Sequence, residues 1–179
     1  NSDPYEDWSK WTILVVYIMG IYGVKKQCKV FLGGTCNEST WRDELIKKLK
    51  IDYFNPVVDD WTEECYKEEL RQREICDYCL YVITPRMTGV YSIAEVIDDS
   101  NKRPEKTIFC FLSNDDSKRF VNGQIKSLDK VGIMVENNGG KYFKSLDEVA
   151  EFLNGGEWIN GYTFKWIWTN HERIFWCNR

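Results

Sequence analysis

The chain has 179 residues and a net charge of −4 at pH 7, a size that suits one domain whose core needs neither metal nor disulfide staples. An acidic chain whose longest basic cluster is Lys47-Lys48-Leu49-Lys50 offers little electrostatic support for binding a nucleic acid polymer. Seven cysteines at irregular spacing make no disulfide framework, and a single histidine, His171, leaves His-based triads and His-ligated metal sites almost nothing to use, so the expected compartment is a reducing cytoplasm, no metal or cofactor is expected, and acid–base chemistry must rest on carboxylates.

Along the chain, the apolar run Trp11 to Met19 is too short to span a bilayer and no small-residue cleavage site follows it. It reads as a buried or sheet-edge segment of an N-terminal extension, residues 1–28, and no membrane partner is expected. From Lys29 strands and helices alternate. Lys29-Val30-Phe31-Leu32 reads as a first strand stopped by Gly33-Gly34-Thr35, and Thr40 to Lys50 as a helix capped by Ser39 or Thr40 with Trp41, Leu45, Ile46 and Leu49 on one face. Ile51 to Phe54 is a second strand closed by Asn55-Pro56, Thr62 to Ile75 a charged helix, and Tyr78 to Ile83 a strand covered on both faces. Cys76-Asp77-Tyr78-Cys79 matches C-x-x-C but runs into this strand instead of opening a helix, so its sulfurs read as small buried side chains.

Pro85 and Gly89 break regularity before Ser92-Ile93-Ala94-Glu95 opens the next helix. Glu95 therefore lies where a central strand hands over to a helix, the crevice in which open α/β sheets bind ligands. The same four residues also read as a capping box, in which Glu95 merely satisfies a backbone N–H, and Ser145-Leu146-Asp147-Glu148 repeats the device. Lys106 to Leu112 is a fourth strand, Asp116 to Lys130 largely helical, Lys141-Tyr142-Phe143 a fifth strand and Ser145 to Leu153 a last helix. Such alternation predicts a five-stranded parallel sheet with helices on both faces.

Beyond it, residues 155–179 form an aromatic C-terminal extension. Six of the eight tryptophans lie in the two extensions. Asn160-Gly161 marks a tight hairpin, and Trp166-Ile167-Trp168 pairs naturally with Ile174-Phe175-Trp176 in another. These aromatics either cover the domain's own core or meet a second subunit.

Taken together, Lys29 to Gly34 (KVFLGG), Asn55-Pro56, Glu69, Asp77 and the loop from Thr84 to Glu95 with its GVYS-x-x-E ending resemble the nucleoside 2-deoxyribosyltransferase-like family over residues 29–154. The resemblance implies a flavodoxin-like three-layer sandwich and cleavage or transfer at the N-glycosidic bond of a nucleoside or nucleotide, with the family's nucleophilic glutamate falling on Glu95. Its base-side acid falls on Glu69, beside Glu68. Gly33, Gly34 and Thr35 would lie against the sugar or a phosphate, Asn55, Asp59 and Trp61 near the base, and Gly89 and Ser92 beneath the sugar, with Trp41 a second stacking candidate. Phe31 stands where transferases carry a tyrosine that holds the nucleophile, and Gly89 where they carry an aspartate. Family members commonly build sites across subunits, so a homo-oligomer is expected. Two rivals use the same crevice: a module that senses a nucleotide without cleaving it, and an NAD glycohydrolase of related layout.

Overall fold

The computed structural model describes residues 28–155 and, as backbone alone, the strands Trp158–Ile159, Tyr162–Thr169 and Glu172–Asn178. In chain order the elements are β1 (Lys29–Gly34), α1 (Trp41–Ile46), β2 (Asp52–Phe54), α2 (Glu63–Ile75), β3 (Tyr78–Ile83), α3 (Tyr91–Lys102) and β4 (Thr107–Phe111). A short hairpin of β5 (Asn114–Asp115) and β6 (Lys118–Arg119) follows, then α4 (Asn122–Asn137), β7 (Lys141–Phe143) and α5 (Leu146–Gly155).

Five strands pair in parallel in the order β2-β1-β3-β4-β7. Because side chains alternate across a pleated strand, the sheet feeds two cores. Val30, Leu32, Leu80, Val82 and Ile108 meet Trp41 and Leu45 of α1 and Leu146, Val149 and Leu153 of α5. Phe31, Cys79, Tyr81, Ile83 and Phe109 meet Val96 of α3 and Leu128 and Val135 of α4. The result is the flavodoxin-like three-layer sandwich, with β3 buried along its whole length as its unbroken apolar run requires. Cys76 and Cys79 are fully buried, and among the described residues no helix is long and apolar enough to cross a membrane.

Three local expectations are corrected. The segment expected to be helical from Asp116 is helical only from Asn122: Asp116 adopts a left-handed backbone, φ 50°, which turns the chain into the β5–β6 hairpin. Helix α4 starts only at Asn122, with the Val121 N–H donated to Gln124 Oε1 at 3.0 Å. The helix after β1 is six residues long instead of eleven, giving way to turns at Lys47, and its cap Thr40 donates its hydroxyl to Glu44 rather than receiving a backbone N–H. Finally, Ser92 and Glu95 form no capping box. Val90 precedes the helix and no side chain caps it. The equivalent box at the head of α5 does form, with the Glu148 N–H donated to Ser145 Oγ at 3.2 Å and the Ser145 hydroxyl to Glu148 Oε2 at 2.9 Å.

At the C-terminal end β8 (Trp158–Ile159) pairs antiparallel with β9 (Tyr162–Thr169), and β9 with β10 (Glu172–Asn178), in the two hairpins that the sequence pattern predicts. What their aromatic side chains cover lies outside the described residues, as does the whole of residues 1–27.

Candidate active site

The chain leaves β1 to β2 on one side and returns to β3 on the other, so the sheet reverses its direction of winding between β1 and β3. Helices α2 and α3 start above the carboxyl ends of β2 and β3 and descend alongside each other. Thr62 fixes the start of α2 by accepting the Cys65 N–H. Residues three or four apart share a helix face, so α2 presents Tyr66, Glu69 and Arg73 and α3 presents Tyr91, Glu95 and Asp99. The contacts follow in tiers. At the top the Tyr66 and Tyr91 hydroxyls lie 3.5 Å apart, and Trp61, 60% exposed, packs on Tyr66 with ring centroids 5.9 Å apart. A turn lower come Glu69 and Glu95. Beneath them Arg73 donates from Nη1 to Glu95 Oε1 at 2.9 Å, from Nε to Asp99 Oδ2 at 3.1 Å and from Nη2 to Asp99 Oδ1 at 2.7 Å. The Tyr81 hydroxyl donates to Asp99 from the sheet below.

Burial drives the electrostatics. Glu95 is 6% exposed, and loss of hydration pushes its carboxyl up to about 7; Arg73 pulls the other way, while the charges of Glu69 and Asp99 add to the rise. Half-buried Glu69 is also raised by desolvation, against the charges of Arg73 and Arg42. Its neighbour Glu68 points elsewhere: hydrogen bonds from Arg71 and Gln72 hold that carboxyl down at about 2. The charge of Glu69 is felt at Glu95, whereas Glu68 is engaged by Arg71 and Gln72, which separates Glu69 from Glu68. Tyr91 is pushed up to about 12, first by its bond to Tyr66, then by burial and the Glu95 charge.

The remaining sequence-predicted residues divide by location. Gly33 and Gly34 end β1 under packing constraint: a Cβ at Gly33 would meet the Tyr81 and Phe31 rings at 2.8–2.9 Å, and one at Gly34, φ +114°, would lie 2.0 Å from the Val82 carbonyl oxygen. Thr35 is buried, its N–H donated to Val82 O and its hydroxyl accepting the Thr84 N–H, which ties the loops after β1 and β3 together. Trp41 is core, 1% exposed, with its indole N–H on Thr35 O. Asn55 and Asp59 are exposed after β2, Asn55 accepting the Val57 N–H. Gly89 faces open space and Ser92 sits half-exposed in the first turn of α3. Phe31 lies between Phe54 and Tyr81.

Four residues escape the sequence reading: Arg73, Asp99, Tyr66 and Tyr91. The i, i+4 spacings Glu69–Arg73, Tyr91–Glu95 and Glu95–Asp99 were available as a signal, but in charged helices such pairs ordinarily face water. Arg42 is a fifth: it donates to the carbonyls of Leu32, Gly34 and Thr35, and burial pulls its guanidinium down to about 10. A surface hollow of about 660 Å³ is an open apolar dish against Val90, Ile93, Ala94 and Ile97 and does not include the carboxylate pair.

Residues 27–112 match the family described as nucleoside 2-deoxyribosyltransferase like. This segment, just under half of the chain, is similar to that family. The match carries the sheet from β1 to β4 with Glu69, Arg73, Glu95 and Asp99, and ends before the β5–β6 hairpin. No curated protein matches the chain. A nucleoside 2-deoxyribosyltransferase-like segment implies a glycosyl-transferase-like enzyme and small nucleoside substrates.

Proposed function

We propose that this protein cleaves or transfers at the N-glycosidic bond of a nucleoside or nucleotide, with Glu95 as nucleophile and Glu69 as the acid on the base side. One observation carries the reading: a buried carboxylate, pushed up to about 7 by loss of hydration, stands beside a second carboxyl with raised proton affinity at the carboxyl-end crevice of a nucleoside 2-deoxyribosyltransferase-like sheet. A sensing module needs no such pair.

The chemistry balances on these two groups. Glu95 attacks C1′ as the C1′–N bond breaks, the electron pair of that bond leaves with the base, and Glu69 donates the proton that the base nitrogen takes up. The sugar is then held as a glycosyl ester. An acceptor base or water attacks C1′, its proton passes to Glu69, and Glu95 leaves as carboxylate. The reactive form thus has the pair's one proton on Glu69. Trp61, Tyr66 and Tyr91 supply aromatic surface one turn above the carboxylates for the departing and incoming bases. Asn55 and Asp59 flank that rim, while Gly33, Gly34, Thr35, Gly89 and Ser92 belong to the sugar side. The catalytic domain in this reading spans residues 29–154.

Incubation of the protein with a panel of nucleosides, nucleotides and NAD, read by chromatography for free base, tests the reading. Release from at least one nucleoside or nucleotide, absent in Glu95→Gln, is the expected result. Cleavage of NAD alone would move the assignment to a glycohydrolase, and release of nothing by the wild type would leave a binding module.

A further inference from the structure

We propose that Arg73 is the positioning residue of the Glu95 nucleophile: its Nη1 holds Oε1 and leaves Oε2 to attack, and Asp99 fixes the guanidinium for that task. The inference rests on the assignment of Glu95 as nucleophile. Arg73 is 4% exposed and Asp99 fully buried. Asp99 takes two guanidinium donors in the fork geometry that suits a planar carboxylate. It is itself braced by the Tyr81 hydroxyl and by Arg103, whose Nε lies 3.2 Å from Oδ1. An arginine serving stability alone would be satisfied by this partner. The third donor goes instead to Glu95, the buried carboxylate at the crevice.

As a stabilising device the arrangement is inefficient. Buried ion pairs recover little more than the hydration their charges lose, and here one guanidinium serves two buried carboxylates. As a catalytic device it answers two needs. The groups that face Glu95 are Glu69 and Arg73 from α2 and Tyr91 and Asp99 from α3, and Arg73 alone among them favours the ionised form that must attack. It also fixes the rotation of the carboxylate, because α3 supplies no cap or other bond to hold it. A misplaced nucleophile is expensive: an error near 1 Å costs on the order of 10²-fold in rate.

The test uses the full chain with glutamate carboxyls labelled with ¹³C and Glu95 assigned through Glu95→Gln. In wild type the Glu95 signal should titrate near 7. In Arg73→Gln its midpoint should rise by about one unit or more, since an opposite charge at this distance lowers a carboxyl by that amount. Arg73→Lys should restore most of the midpoint, because it keeps the charge, but not the turnover, because it loses the fork. On a nucleoside that the wild type cleaves, kcat should fall about 10²-fold in Arg73→Gln with KM little changed, and the acid limb of the pH profile should move up with the NMR midpoint. A folded Arg73→Gln with both midpoint and kcat unchanged overturns the proposal. If neither variant folds, the wild type carries the test: Arg73 side-chain ¹⁵N signals should shift through the Glu95 midpoint, and signals indifferent to it overturn the proposal. A shifted midpoint in a protein that frees no base would overturn the glycosidic reading while leaving the Arg73–Glu95 pairing intact.

Discussion

At Glu95 two roles compete in the sequence, a helix cap and a nucleophile, and the backbone removes the first. With Val90 ahead of the helix and no side chain capping it, the carboxylate is free of capping duty and turns to Arg73. Gln is close in shape and can still accept from the Arg73 guanidinium, so Glu95→Gln should abolish base release while circular dichroism stays unchanged. The same substitution has a linkage consequence whose sign is fixed. The folded carboxyl is raised from 4.5 to about 7, so folding binds a proton. Stability from this source is full below about 4.5 and is lost as pH rises through about 7, by at most about 3 kcal/mol. Urea denaturation at pH 5 and pH 8 should therefore show a smaller fall in stability for Glu95→Gln than for wild type. An equal fall in both proteins would mean that Glu95 carries no raised proton affinity.

Helix α2 carries Glu69 on one face and Glu68 on another, and in the proposed reading the two faces make separable predictions. Leaving-group assistance matters most for a poor leaving base. Glu69→Ala should slow release of an ordinary purine or pyrimidine by about 10²–10⁴-fold, yet scarcely affect a substrate with an activated aromatic leaving group. Glu68→Ala, on the face paired with Arg71, should leave both rates near wild type. Equal losses on both substrates in Glu69→Ala would make that residue a holder of substrate or fold. At the end of β1, Gly34→Ala must place a methyl in left-handed backbone against the Val82 carbonyl, so a loss of more than ~2 kcal/mol is expected in urea denaturation. Elements of this kind were legible in the chain because their signals are local: the apolar run of β3 and the Ser145–Glu148 box. What stayed hidden is tertiary. The Arg73 guanidinium reaches across to another helix, and nothing in Arg71-Gln72-Arg73 distinguishes the buried arginine from its exposed neighbour. The β5–β6 hairpin was missed for a related reason, since the turn at Asp116 depends on a backbone conformation that Asp adopts readily but does not announce.

At the scale of the whole molecule, the winding of the sheet reverses between β1 and β3, and the family match over residues 27–112 spans the strands and helices on both sides of that point. The aromatic hairpins β8 to β10 lie beyond that match. Their sequence carries Trp158, Trp166, Trp168 and Trp176, a number of aromatic rings that a chain covers either with its own core or at a subunit contact. We expect this surface to be covered by a second copy of the chain, which would make the protein a homo-oligomer. Removal of residues 155–179 should then lower the mass measured by light scattering or leave a poorly soluble species. Activity separates the consequences further: if the partner only stabilises, the truncated chain should retain base release at high protein concentration, whereas a partner that completes the crevice makes kcat fall with the dimer. A soluble truncated chain of unchanged oligomeric state and unchanged kcat would show that the aromatic strands cover neither a subunit contact nor the site.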